Sequence, residues 1–289
     1  LNADELDNII LQHIEDLKQK GETRIHVTTV ARSSVCPFQS FFYSRMSPFK
    51  PKTSKALITG TISHLIFERI YESKFRERLN SLQENWKLKS PTFEHNFKIA
   101  LLKDAILTLR AKEPNRYKEY LKNRYEHDTE VLKYTSAFFN YVKHAPIPYS
   151  RELYLRKGVL TGTIDRIDIL YNNKVIISDY KTSKSKLHQE YLNTYFLQLG
   201  GYVYLLKGSR LMKNKEFGVP QLIVLKNRSF EIIKCEDWMD YEEDFIYLLE
   251  EFAEMILKLA KGKKIKRKEG NHCYYCLARE YCKYYKRTH

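Results

Sequence analysis

Residues 174–181 read KVIISDYK, an apolar strand pattern that ends on Asp179 and Lys181, two positions apart. Strand side chains alternate with a period of two, so this carboxylate and this ammonium leave the same face. Upstream, VLTGTIDRIDILY carries Asp165 on one face with Thr163 and Ile167, while Arg166 and Asp168 face the other way. Two carboxylates within reach of each other repel unless a proton or a cation lies between them. With a third donor they describe a hard-metal site. Oxygen ligands suit Mg²⁺ or Mn²⁺, and an imidazole tilts the preference toward Mn²⁺. His64 is the candidate third ligand. It stands four residues after Gly60, near the start of a helix expected from TISHLIFERIYESKF, on a face with Phe67, Glu68 and Tyr71. Lys181 beside such an ion would orient or deprotonate water and offset charge developing on a phosphate. That is phosphodiester hydrolysis chemistry.

Whether the two aspartates meet depends on the turn between their strands. A two-residue turn at Asn172 and Asn173 pairs 171 with 174 and sets Asp165 and Asp179 on opposite faces. A three-residue loop, Tyr171 to Asn173, pairs 165 with 179 and brings both carboxylates together; a bulge does the same.

A second constellation lies in CYYCLAREYC, which spaces Cys273, Cys276 and Cys282 as C-x2-C-x5-C. Three thiols this close favour a metal over disulfides, because adjacent pairs cannot all cross-link. The odd total of five cysteines argues the same way. The abundant Lys, Glu and Tyr would suit a thermophile, in which intracellular disulfides do occur. A fourth ligand could be His272, giving a zinc site; Cys36, in SVCPFQSFFYSR, is the better candidate. Cys235 ends an apolar strand and reads as a buried thiol.

The elements that must carry these residues follow from periodicity. A helix is expected from about Asp4 to Lys20, stopped by Gly21, and a short loop then holds Cys36 and Pro37. The 76–145 segment is helical in pattern, with Leu102, Ala105, Ile106 and Leu109 at helix spacing and Pro114 as an interruption. Beyond Pro146 and Pro148 the period changes to that of strands, at RELYLRK, VLTGTIDRIDILY and KVIISDYK. A helix from about Gln189 to Leu206, strands QLIVLK and SFEIIKC, and a long helix follow. The expected fold is mixed α/β, a central mixed sheet flanked by helices. Its parts are 1–75 with the first cysteine and His64, a helical insertion over 76–145, a core over 146–260, and a basic segment over 261–289.

At 289 residues the chain can bury a substantial core. Its formal charge is +15, and Lys258 to His289 alone holds 11 basic and 2 acidic residues. Clustered cations gain affinity for polyanions by releasing counterions from phosphates. No run of about 18 apolar residues exists, and the opening LNADELDNIILQHIEDLKQKG has an acidic amphipathic pattern rather than that of a signal peptide. A cytoplasmic location without membrane partners is expected.

The order G-T-I-S-H, G-T-I-D, D-Y-K and Q-L-G-G-Y resembles the RecB-like branch of the PD-(D/E)XK nucleases. The resemblance implies a restriction-endonuclease-like core. It implies metal binding by His64, Asp165, Asp179 and the backbone carbonyl of Tyr180, with Lys181 catalytic beside Asp165 and Asp179. The family's Gln-x-x-x-Tyr motif maps onto Gln198 and Tyr202, which share one helix face; the resemblance gives them the tasks of holding a DNA strand end and supporting Lys181. Gly200 and Gly201, each costing a mid-helix position about 1 kcal/mol relative to Ala, suggest close backbone approach to the sheet or substrate. One distant cysteine with three clustered ones is similar to the iron-sulfur arrangement of CRISPR-associated exonucleases of the Cas-four type. This implies Cys36, Cys273, Cys276 and Cys282 as ligands of a cluster, 4Fe-4S rather than 2Fe-2S. The resemblance further implies a Mg²⁺- or Mn²⁺-dependent exonuclease acting 5′ to 3′ on single-stranded or frayed DNA in CRISPR spacer acquisition. Other readings of the same residues are a repair nuclease working with a helicase and a non-catalytic, zinc-containing DNA-binding protein.

Overall fold

In the computed structural model of the chain, residues 3–49, 53–84, 90–184, 187–261, 263–276 and 278–282 are described. Among them, seven strands form one mixed sheet. These are β1 (Ile25–His26), β2 (Ser150–Lys157), β3 (Leu160–Ile169), β4 (Lys174–Thr182), β5 (Glu216–Phe217), β6 (Gln221–Leu225) and β7 (Phe230–Lys234). The β3–β4 turn takes the three-residue form. Leu170 N–H donates to Lys174 O at 2.9 Å, and Asn173 closes the loop at φ +60°, a conformation Asn tolerates better than most residues. Arg166 therefore lies opposite Ser178 and Ile169 opposite Val175. Continued one step, that register sets Asp165 opposite Asp179, both on one face.

The ladder itself ends at that step. β2 lies along one edge of β3 from Leu160 to Ile167, so β1 and β4 must share the other edge. β1 takes Leu160 and Thr161, and β4 takes Arg166 to Ile169. Residues 162–165 are left without a strand partner on that side. β4 meanwhile continues to Thr182 in parallel with β6. The two central strands thus part after Arg166 and Ser178 and open a fork.

Helices cover both faces. On one lie α1 (Ala3–Gln19), α2 (Val27–Ser33), α3 (Pro37–Tyr43), α9 (Gln189–Leu206) and α10 (Trp238–Leu259), packed on Ile164, Ile177 and Leu222. On the other, α4 (Lys55–Arg69), α5 (Arg76–Glu84), α6 (Pro91–Lys112), α7 (Pro114–Lys122) and α8 (Arg124–Val142) enclose Tyr180, Ile223 and Leu225. Pro114 stands at the first position of α7, where its missing N–H is not needed.

Two boundaries depart from expectation. The loop assigned to Cys36 is largely helical, with Cys36 at the N-cap of α3 and Pro37 just inside it. Helix α4 starts at Lys55 rather than after Gly60, because the Ser54 hydroxyl accepts the Leu57 N–H at 3.2 Å and caps the helix there. His64 therefore sits in the interior of the helix. No helix among the described residues is long and apolar enough to cross a membrane.

Candidate active site at the strand fork

The fork gathers residues from four elements. His64 projects from α4 and places Nδ1 3.6 Å from Asp165 Oδ2. Asp165 Oδ2 also accepts the backbone N–H of Tyr180 at 2.8 Å. That N–H has no ladder partner once β3 and β4 separate, so the carboxylate replaces the missing strand. Across the other edge of β3, Arg151 pairs with Arg166 and Leu153 with Ile164, which puts Glu152 opposite Asp165. Ligand atoms of His64, Glu152 and Asp165 all lie within 4.8 Å of one another. Glu152, Asp165 and Asp179 thus stand in a row across three adjacent strands.

Glu152 was not among the residues expected from sequence. RELYLRK reads as an ordinary strand, and the glutamate's distinguishing feature is its backbone, held at φ +45° inside β2. A non-glycine residue in the left-handed region within a strand is a strained placement, of the kind that clusters at functional sites. Only the strand register, which sequence leaves open, could have signalled it.

Electrostatics of the fork favour a cation. Burial pushes the Glu152 carboxyl up to about 9, with Asp165 and Glu68 adding to the effect. Burial likewise raises Asp165 to about 6; His64 pulls against this and Asp179 adds to it. Asp179 is 2 % exposed. Its Oδ1 accepts from Gln198 Nε2 at 2.9 Å, whereas Oδ2, 2.7 Å from Lys181 Nζ, has no donor aligned for a hydrogen bond. Three crowded carboxylates, an imidazole and a buried oxygen without an aligned donor fit a divalent ion with oxygen-rich coordination. Octahedral Mg²⁺ or Mn²⁺ places neighbouring ligands about 3 Å apart and opposite ones about 4 Å apart, a small contraction of the spacing of His64, Glu152 and Asp165; Asp179 lies outside that group, beside Gln198 and Lys181.

Lys181 lies between Asp179 and α9. It donates to Gln198 Oε1 at 3.1 Å and sits over the Tyr195 ring at 4.4 Å. Burial works against its charge, but Asp179 foremost, with Tyr195 and Asp165, outweighs it and raises the group above its ordinary value. Lys181 is thus an ammonium at neutral pH. Gln198 also donates to the Tyr202 hydroxyl at 2.7 Å, and both residues are buried, at 5 % and 2 % exposure. Of the two tasks expected of this pair, the geometry supports the bracing of Lys181 and Asp179. Neither side chain presents a surface on which a DNA strand end could lie.

The neighbouring acid Asp168 is engaged elsewhere. It forms a two-pronged pair with Arg166 at 2.7 and 2.8 Å on the opposite face, where Arg166 also donates to Tyr71. The Tyr180 ring lies on that face too, against Phe67 and Phe138. Gly200 and Gly201 approach neither sheet nor substrate. A Cβ at Gly200 would fall 2.5 Å from the Tyr241 carbonyl oxygen, and one at Gly201 2.5 Å from the Phe245 ring. Both glycines let α9 press against α10.

The cysteine-bearing segment docks on α2 and α3. Ile265 and Ala278 are buried in the same core, and Tyr281 packs 4.8 Å from both Phe42 and Phe49. All five cysteines are free thiols. Burial raises the Cys276 thiol, and Cys36 and Cys273 add to it, so these sulfurs from both ends of the chain are neighbours. No three of the described Cys36, Cys273, Cys276 and Cys282 sulfurs lie within 4.8 Å of one another.

Residues 24–283 match a family profile described as the PD-(D/E)XK nuclease superfamily. Two solved structures are similar to the chain. The crystal structure of SSO0001 is 16% identical, with a TM-score of 0.38 over 95% of this chain and 93% of that one. A crystal structure named "Putative exonuclease" from Eubacterium rectale is 14% identical, with a TM-score of 0.44 over 89% of each chain. No curated protein matches the chain at a significant level.

Proposed function

The chain belongs to the PD-(D/E)XK nuclease superfamily, and we propose that it is an exonuclease degrading single-stranded or frayed DNA from the 5′ end at the strand fork. A metal-dependent nuclease with a nucleic-acid substrate follows from the family; the rest is our reading. The observation that carries it is the row of Glu152, Asp165 and Asp179 with His64 at one side and Lys181 at the other.

His64, Asp165 and Asp179 would hold one or two Mg²⁺ or Mn²⁺ ions, with Glu152 as an additional donor. The N–H and C=O of one strand residue point to the same edge. Since the Tyr180 N–H turns toward Asp165, its carbonyl faces the fork and is available as a ligand. The bound cation would supply polarisation of the phosphate and activation of water. Lys181, kept charged by Asp179, would orient the attacking water and offset charge on the scissile phosphate. Gln198 fixes Lys181 through one amide atom and Asp179 through the other. Tyr202 holds Gln198 in turn. The basic excess after Lys258 would track the phosphate backbone.

We further propose that Cys36, Cys273, Cys276 and Cys282 ligate a 4Fe-4S cluster and that the enzyme serves CRISPR spacer acquisition with other adaptation proteins. The sequence motifs support this, as does the approach of Cys36 and Cys273 to Cys276 from distant chain positions. A cluster there would tie α3 to the segment after α10 and close a loop of more than 230 residues.

The test is digestion of end-labelled linear and circular single-stranded DNA with Mn²⁺, Mg²⁺ or a chelator, by the parent, Asp179→Ala and Lys181→Ala. Metal-dependent shortening of linear DNA from the 5′ end, lost in both variants, is the expected result. Equal cleavage by all three proteins would reject the fork as the active site. Cutting of circles would reject an exonuclease. Anaerobic purification should yield a brown protein absorbing near ~400 nm, as four-cysteine iron-sulfur sites do, and zinc without iron would reject the cluster.

A further inference from the structure

Helix α4 turns one face away from the core. Leu57, Thr61, His64 and Glu68 follow one another along it at helical spacing, and none of the four is buried. His64 on this face reaches Asp165 in the fork. Thr61 stands one turn earlier, with about 5–6 Å between the two Cβ atoms.

Two contacts fix what borders this face. Asp104 of α6 meets Arg69 at 3.2 Å, and Arg116 of α7 meets Thr61 at 3.3 Å, so α6 and the start of α7 run antiparallel to α4. Lys112 closes α6 eight residues after Asp104, and Thr61 lies eight residues before Arg69. Both steps span about 12 Å, which sets Lys112 level with Thr61. Its charge is felt in the fork, where burial raises the Glu152 carboxyl most and Lys112 pulls against it.

The elbow between α6 and α7 is rich in cations. Residues 110–118 hold Arg110, Lys112, Arg116 and Lys118 against Glu113. Lys112 is exposed and forms no ion pair or hydrogen bond among the described residues. A lysine at a helix C-terminus is favoured by the dipole, which accounts for Lys112 without any ligand. Arg116 has no such account. It occupies the first turn of α7, which holds no acid and where a cation opposes the dipole. Its Nη1 is shared between Glu113 at 2.7 Å and the Thr61 hydroxyl, which donates to the Leu57 carbonyl at 2.8 Å and so accepts from the arginine. A surface pair with Glu113 returns little. Arg116 Nε and Nη2 bond to no described residue. The guanidinium is anchored through one nitrogen and keeps donors free for an anion that accepts from a planar fork, as phosphate does.

We propose that Arg116 and Lys112 clamp a backbone phosphate of the DNA strand, next to the one being cleaved and one turn along α4 from His64. The proposal rests on the nuclease reading of the fork and gives the helical 76–145 segment a part in substrate binding. The fork's carboxylates repel that neighbouring phosphate, and the clamp supplies the opposite charge. A contact to phosphate carries no base preference.

The test is anisotropy of a labelled single-stranded oligonucleotide titrated with the full chain in Ca²⁺ at several salt concentrations, so that binding is read whether or not the fork cleaves. Lys112→Gln/Arg116→Gln keeps polar groups at the elbow and should weaken binding about tenfold or more. The slope of log affinity against log salt should become shallower by about 1. Lys112→Arg/Arg116→Lys should restore the slope. Lys174→Ala/Lys213→Ala, which removes two exposed cations near the opposite end of β4, should leave it unchanged. In Mn²⁺ the loss in the glutamine variant should fall on KM more than on kcat. The clamp is overturned if the parent does not bind the oligonucleotide, if the glutamine variant keeps the parent's affinity and slope, or if the control variant lowers both equally. Failure of the nuclease reading shows separately, as a parent that binds the oligonucleotide and does not cut it in Mn²⁺.

Discussion

The backbone N–H of Tyr180 donates to the Asp165 carboxylate at 2.8 Å, across the gap where β3 and β4 have ceased to pair. Asp165 is thereby a candidate metal ligand and a substitute for the absent strand at once. Asp165→Ala leaves that N–H without its partner, at a cost of about 1–3 kcal/mol, while Asp165→Asn keeps an acceptor in place. Both should lose cleavage by ~10²-fold or more, and only the alanine variant should melt several degrees lower. Equal melting temperatures for the two would show that the hydrogen bond does not hold the fork.

Lys181 contributes positive charge beside the proposed metal. In Lys181→Ala the turnover rate should fall by about 10²–10³-fold, while Mn²⁺ affinity stays level or rises, since a competing cation has been removed from Asp179. Single-turnover kinetics paired with metal titration would separate the two effects. Weakened metal binding would instead make Lys181 a structural brace.

Acid–base behaviour of the metal-free protein follows from the raised carboxyls. A carboxyl whose pKa rises on folding holds its proton more tightly in the folded state. Its contribution therefore turns destabilising as pH climbs above the unfolded value of about 4.3. For Glu152 that loss should accumulate until pH passes about 9, and for Asp165 until about 6. Melting temperature in chelator should fall across pH 5–9, the fall should shrink in Glu152→Gln, and the rise on adding Mn²⁺ should be larger at pH 8.5 than at pH 6. A Glu152→Gln profile parallel to the parent's would mean that this glutamate does not hold a proton there.

The contact between α9 and α10 is also testable. Gly200→Ala gains about 1 kcal/mol of helix propensity but sets a methyl 2.5 Å from the Tyr241 carbonyl oxygen, which is backbone and cannot swing aside. Overpacking of that kind costs about 1–3 kcal/mol, so the variant should melt lower and, through Gln198 on the same helix, cleave more slowly. A variant as stable as the parent would place the two helices further apart.

Much of this architecture was legible in the chain itself, because side-chain periodicity is a local property. Alternation alone put Asp179 and Lys181 on one face and Arg166 and Asp168 on the other, and helical spacing marked α6, α8, α9 and α10. Motif order singled out His64, Asp165, Asp179, Lys181 and Gln198 as candidates. Sequence left the β3–β4 turn open between two registers, and a single αL residue, Asn173, decides it.

What only the tertiary structure decided concerns segments that meet from far apart. The sharing of one β3 edge between β1 and β4 opens the fork, and neither strand's own pattern encodes that splay. Glu152 enters the site through strand register and a left-handed backbone, the glycines of α9 face α10 rather than the sheet, and Glu190, Asp244 and His272 share a pocket although more than 80 residues separate the first from the last. Pairing and packing between distant segments set these positions, because the free energy that fixes them belongs to contacts no local window of sequence contains.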